Sequence, residues 1–176
     1  TSVELETSSE TQLFDRVVVA THSDQALRML EDPTPREREI LGSMNYAPND
    51  ALLHRDESLL PKRQRARASW NFTVDRSPRP RPSVTYDMTR LQQLSTPSPI
   101  CVSLNQSDRV DEVSVVRSLS FEHPVFTPEA IAAQKRHHEI DGADRVHYCG
   151  AYWGNGFHED GVASALSVCS HFGLTL

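Results

Sequence analysis

Residues 148–165 read Tyr-Cys-Gly-Ala-Tyr-Trp-Gly-Asn-Gly-Phe-His-Glu-Asp-Gly-Val-Ala-Ser-Ala, and no other stretch restricts the fold as much. Arg145 to Cys149 alternates as a short strand. Gly150, Gly154 and Gly156 then punctuate a turn in which backbone can approach a neighbour closely or take positive φ. Gly161 to Phe172 follows as a helix of small and apolar residues. The start of such a helix gathers free N–H groups and the positive end of the dipole, a setting that stabilises an anionic group on a ligand. Gly161, Ala163 and Ser164 keep that end open to something flat.

A second segment points the same way. Val17-Val18-Val19-Ala20 is a β-branched run between Asp15 and Thr21-His22-Ser23, expected as a strand buried on both faces in a parallel sheet. A helix capped by Ser23 or Asp24 follows. Strand, turn and helix in this order indicate a nucleotide-binding α/β layer. Ahead of it, Val3, Leu5 and Leu13 alternate around Ser8-Ser9-Glu10 as an antiparallel hairpin. Thr34-Pro35-Arg36-Glu37 combines an N-cap, a proline at the first helical position and a capping-box carboxylate, and Gly42 closes that helix. Between Met44 and Phe121 the pattern changes to strands at Ala51–His54, Ser69–Val74, Val84–Met88, Ile100–Leu104 and Val113–Phe121. They are separated by turn signals such as Arg79-Pro80-Arg81-Pro82, and a mainly antiparallel sheet is expected. A helix then starts at Thr127-Pro128, with Ile131, Ala132 and Ile140 on its apolar side and Asp141-Gly142 at its end.

Composition excludes several classes of function. The longest apolar runs fall far short of the roughly 20 residues that cross a bilayer. Cys101, Cys149 and Cys169 are odd in number and lack Cys-x-x-Cys spacing, which fits a reducing cytoplasm better than a disulfide framework. A net charge of −6 opposes general nucleic-acid affinity. Lys62, Arg63, Arg65, Arg67, Arg76, Arg79 and Arg81 nevertheless face only Asp75 locally. That basic stretch supports an alternative of another class, a non-catalytic binding module for an anionic partner such as a membrane headgroup. The opening Thr1 to Gln12 is polar, unlike a signal peptide, and is taken as a cut within a longer protein.

Gly150-Ala151-Tyr152 followed by Gly156-Phe157-His158-Glu159-Asp160-Gly161 resembles the C-terminal flavin-contacting motif of the FAD-dependent amine oxidase superfamily, most closely its predicted bacterial NAD/FAD-binding branch. Asp15 to Asp24, Leu53-His54-Arg55-Asp56, Ser69-Trp70-Asn71 and Val84-Thr85-Tyr86-Asp87-Met88 are similar to that branch in the same order. The resemblance implies an α/β (α+β) fold. A partial FAD-binding, Rossmann-like layer would comprise residues 1–30 and 125–176, around a mainly antiparallel substrate domain at 31–124. It implies non-covalent FAD contacted by Gly150, Ala151, Gly156, Phe157, His158, Glu159, Asp160, Gly161 and Val162. The N–H groups near Asp160, Gly161 and Val162 would lie by flavin N1 and the C2 carbonyl. Trp70 and Tyr86 would face a small apolar substrate.

Two departures narrow the chemistry. The acidic residue the family carries after the strand glycine is Ala151 here, so a polar contact to a cofactor hydroxyl has to come from elsewhere. The only lysines, Lys62 and Lys135, do not match the lysine that many amine oxidases hold near flavin N5. A desaturase-like or isomerase-like reaction therefore stands beside amine oxidation. The Gly-x-Gly-x-x-Gly fingerprint that cradles a pyrophosphate is not in this sequence. It is expected upstream of Thr1, in the missing N-terminal part of the same protein, and the chain alone is expected to hold FAD weakly and to be inactive. No metal site is expected: His137 and His138 diverge by about 100° on a helix, and His158-Glu159-Asp160 are consecutive and better suited to capping. Cys149 is expected as a buried strand thiol, and no catalytic residue is assigned.

Overall fold

A computed structural model describes residues 2–74 and 82–174. The chain divides into two compact units, one formed by residues up to Ala47 together with those from His123 onward, the other by Pro48–Glu122. In chain order the first unit holds β1 (Val3–Glu6), β2 (Thr11–Phe14), β3 (Val17–Val19), α1 (Ser23–Met29) and α2 (Pro35–Gly42). β4 (Asn45–His54) leads into the second unit, which continues with β5 (Trp70–Thr73), β6 (Ser83–Asp87), α3 (Met88–Leu91) and β7 (Cys101–Leu104). β8 (Val115–Val125) leads back to the first unit, completed by α4 (Pro128–Gln134), β9 (Val146–Tyr148) and α5 (His158–Ser170).

In the first unit β1 and β2 form the expected hairpin, with Val3 opposite Phe14 and Glu6 opposite Thr11. β3 and β9 pair in parallel, Val17 with Val146 and Val19 with Tyr148. Val19, Ala26, Ile40, Leu41, Met44, Ala130, Ala133, Ile140, Val146, Tyr148 and Tyr152 make its core. α2 supplies Ile40 and Leu41, both fully buried, so the boundary anticipated at residue 30 falls later: the helix belongs to this unit. Its N-terminus is the predicted capping box, with the Glu37 carboxylate accepting from the Thr34 N–H at 2.8 Å and the Glu37 N–H donating to Thr34 Oγ1 at 3.2 Å.

Three expectations change here. Val18 is 46% exposed rather than buried, because among the described residues β3 has only β9 beside it. α4 stops at Gln134, and Ile131 and Ala132 lie outward, since the small residues Ala130 and Ala133 form the buried stripe. Ile140 reaches the core from a 3₁₀ turn at His137–Glu139 instead. α5 starts at His158, three residues before Gly161, so the segment assigned to a loop is already helix.

The second unit is a five-stranded sheet in the order β5-β6-β7-β4-β8. The β5–β6, β6–β7 and β7–β4 pairings are antiparallel, as expected for this region. Register fixes what each face carries, because side chains alternate and opposed residues share a face. Asn71, Thr85 and Ser103 lie opposite one another on the buried face, with Asp87, Cys101 and His54 one rung away. Hydrogen bonds satisfy them: His54 Nε2 to Ser103 Oγ at 2.8 Å, Ser103 Oγ to Thr85 Oγ1 at 2.8 Å, and Gln106 Nε2 donating to Thr85 Oγ1 at 3.1 Å. The opposite face carries Trp70, Tyr86, Val102 and Leu53, and on the next rung Phe72, Val84 and Leu104. The usual arrangement is inverted, with a polar face inside and an apolar face partly open.

Candidate functional site

The first unit builds its loop at the end of β9. The Cys149 N–H extends the parallel ladder to Val19 O at 3.1 Å, and the Gly150 N–H donates to Ser164 Oγ on α5 at 3.0 Å. Ala151–Trp153 then make a 3₁₀ turn around the buried Tyr152. A side chain on Gly150 would overlap the Tyr152 ring, and one on Gly154 would overlap the Asp160 carboxylate. Gly156 has φ of +88°, the left-handed region that glycine tolerates best. Gln134, the last residue of α4, clamps the loop: its Nε2 donates to Tyr152 O at 2.8 Å and to Gly154 O at 2.6 Å.

This clamp sets the start of α5. Phe157 occupies the N-cap and has no side-chain acceptor, while Asp160 Oδ2 accepts from the Phe157 N–H at 2.9 Å. The Gly161 N–H already donates to Phe157 O at 3.2 Å. The donors without a partner among the described residues are therefore the N–H groups of His158, Glu159 and Asp160. Of the anticipated set Asp160, Gly161 and Val162, only the Asp160 N–H stays open, because the helix begins at His158. Gly161 faces open space beyond ordinary contact with Ala151 Cβ at 3.8 Å.

Beside these donors lies a hollow of about 280 Å³ lined by Gln134, His137, Trp153, Gly154, Asp160 and Ser164, among others. Trp153 Nε1 and the Tyr152 hydroxyl are buried next to each other, and among the described residues neither makes a hydrogen bond of good geometry. Burial raises the Tyr152 phenol and the Cys149 thiol above their ordinary ranges, so neither is ionised near neutral pH. Cys149 is the inert buried thiol expected. His137 departs from a surface position: its Nε2 lies 2.7 Å from Tyr148 O and its ring 4.3 Å from that of Trp153. A carbonyl only accepts, so Nε2 carries the proton.

Trp70 and Tyr86 stand directly opposite on β5 and β6, their rings edge to face at 5.4 Å. Trp70 is 53% exposed and Phe72 68% exposed. The structure thus gathers the loop residues from Gly150 to Val162 in the first unit and the two aromatics on the open apolar face of the second. Gln134 and Ser164, which hold the loop, carry no motif that would announce them. In the basic stretch, Arg67 turns inward to Glu57 Oε2 at 2.9 Å and Pro61 O at 3.0 Å. Lys62, Arg63 and Arg65 are exposed, and Arg76, Arg79 and Arg81 lie outside the described residues.

No family model and no curated protein matches this chain. Solved structures do. Over 97% of its length the chain is similar to a candidate protoporphyrinogen oxidase from Exiguobacterium sp. 255-15, with a TM-score of 0.66 and 14% identity. Over 98% it is similar to a CLA-producing fatty acid isomerase from P. acnes, with a TM-score of 0.63 and 12% identity. The chain shares their fold. It spans 44% of the oxidase chain and 45% of the isomerase chain. Among the described residues no helix is long and apolar enough to cross a membrane.

Proposed function

We propose that this chain supplies the flavin-ring end of an FAD-dependent oxidoreductase acting on an apolar substrate. The observation that carries the reading is the start of α5, where three N–H donors, without partners among the described residues, follow a glycine loop held by Gln134. These residues fit the electron-rich edge of a flavin: His158, Glu159 and Asp160 offer donors, and no side chain of Gly161 stands in the way. When bound, FAD supplies hydride transfer and accumulates negative charge at the edge such donors stabilise. The Asp160 carboxylate is drawn back to Phe157 as a cap, which leaves its own N–H available to a ligand.

The substrate class follows from the second unit. A sheet face of Trp70, Phe72, Tyr86, Val84 and Val102 offers area for apolar contact, and these five side chains bring no carboxylate to bind an amine cation. Lys62 and Lys135 are both exposed, consistent with a desaturating or isomerising reaction rather than amine oxidation. The cofactor half is tested with riboflavin, which presents the ring without the dinucleotide. Its addition to the chain is expected to shift the backbone amide resonances of Gly150–Gly161, above all those of His158 to Asp160. Unchanged resonances at saturating riboflavin would remove this loop from the flavin contact.

A further inference from the structure

Asp141 and His147 stand six residues apart and His171 a further 24 along the chain, and they belong to no motif, yet they converge in the first unit. Asp141 Oδ2 lies 3.3 Å from His147 Nδ1 and 3.1 Å from His171 Nδ1, and the two imidazole nitrogens are 3.4 Å from each other. All three atoms lie within 4.8 Å of one another. Local structure fixes two of them. The turn into β9 places Gly142 at φ of +76° with its N–H on Val146 O at 2.8 Å, which sets Asp141 beside the strand. The other carboxylate oxygen, Oδ1, accepts from the Tyr148 N–H at 2.9 Å and orients Oδ2 toward the histidines. His147 sits within β9, and His171 follows the end of α5.

We propose that these three side chains form a mononuclear divalent-metal site suited to Zn²⁺. The distances fit an ion better than a set of short hydrogen bonds. Imidazole–carboxylate pairs held by charge-assisted hydrogen bonds close to about 2.7–2.9 Å. Both contacts here are longer, and the third edge joins two nitrogens that would each direct a proton at the same oxygen. A tetrahedral Zn²⁺ with bonds of about 2.0–2.1 Å sets its ligand atoms about 3.3 Å apart, which is the triangle observed. Two imidazoles and one carboxylate make a donor set of intermediate softness. The side chains of His147 and Asp141 are 2% and 3% exposed, whereas that of His171 is 48% exposed, so the fourth position opens to water.

Arg16 makes the site conditional. Its NH1 lies 3.4 Å from His147 Nε2. A guanidinium only donates, so in this arrangement Nε2 accepts and Nδ1 holds the proton. Ligation through Nδ1 requires the opposite tautomer, with Nε2–H facing away from a donor. Arg16 is exposed and can leave by side-chain rotation. It is thus a positioning residue that opposes loading by holding the wrong tautomer.

The test titrates Co²⁺, then Zn²⁺, into the full chain, reading visible d–d absorption and isothermal heats. One equivalent of Co²⁺ is expected to develop a d–d band that Zn²⁺ bleaches. The variant His171→Gln, at a half-exposed position, is expected to weaken binding at least about tenfold while circular dichroism stays that of wild type. Arg16→Gln offers Nε2–H an acceptor and is expected to tighten binding several-fold, and His138→Gln, exposed and outside the cluster, is expected to leave it unchanged. Absence of a d–d band at millimolar Co²⁺, or binding indifferent to His171→Gln, would overturn the site. A thiolate-to-cobalt charge-transfer band would place the ion on a cysteine and overturn it equally.

Discussion

The Tyr148 phenol donates to Glu37 Oε1 at 2.6 Å in the core of the first unit, joining β9 to the N-terminus of α2. The other carboxylate oxygen of Glu37 closes the capping box with Thr34. Removing the phenol leaves a buried carboxylate oxygen without its donor. Tyr148→Phe is expected to destabilise the protein by about 1–3 kcal/mol, read as a lower denaturant midpoint at unchanged slope.

Gly150 in the loop and Gly161 in α5 should respond in opposite ways. Gly150→Ala forces a methyl into the ring of Tyr152, which is only 3% exposed and cannot move aside, and is expected to cost about 1–3 kcal/mol. Gly161 lies inside α5 with open space around its Cα, so Gly161→Ala is expected to be neutral or stabilising by up to about 1 kcal/mol. A larger side chain at 161 should block riboflavin without lowering the thermal midpoint. Thermal melts paired with riboflavin titration check all three.

Burial depresses the pKa of His54 in the second unit and of His137 in the first. A group whose folded pKa lies below its ordinary value near 6.5 binds its proton more readily when unfolded. The stability it contributes is therefore complete above that value and is lost as pH falls through the folded pKa. Thermal midpoints are expected to drop between about pH 7.5 and about pH 5.5, and His54→Gln is expected to flatten the dependence. A flat wild-type profile across that range would show that neither ring is held neutral by the fold.

Trp70 touches Tyr86 edge to face but is half in solvent, so Trp70→Ala is expected to cost no more than about 0.5–1.5 kcal/mol. Its effect on binding should be larger. An apolar fluorescent probe is expected to lose affinity for Trp70→Ala and for Phe72→Ala, and to keep it for Val113→Ala, an exposed residue outside the strands. Equal loss from all three would mean that the sheet face has no special role.

Elements with strong local signals were legible from the chain alone. Thr34-Pro35-x-Glu37 gave α2 its start because cap, proline and carboxylate act within one turn, and the five middle strands followed from alternation. What the sequence hid depends on distant partners. The first turn of α5 is hidden in the sequence because its N-cap, Phe157, has no side-chain acceptor and the capping carboxylate comes from Asp160, three residues on. Ile131 looked like core, but the two alanines beside it let α4 pack more closely. Gln134 and the Asp141, His147 and His171 triangle had no periodic signature, since tertiary contacts alone assemble them.

The parallel pairing of β3 with β9 also determines the order in which the molecule can be made. Val17 meets Val146 only after nearly the whole intervening chain has been synthesised and gathered, and closing so long a loop carries an entropic cost that contacts repay late. β5, β6 and β7 pair with near neighbours in sequence and need no such wait. On the ribosome the middle sheet can therefore be complete while the first unit still lacks its second parallel strand. Until β9 emerges, Val19, Ala26 and the inner face of α2 have no Tyr148 to close over them, and they are the surface that a chaperone would meet first.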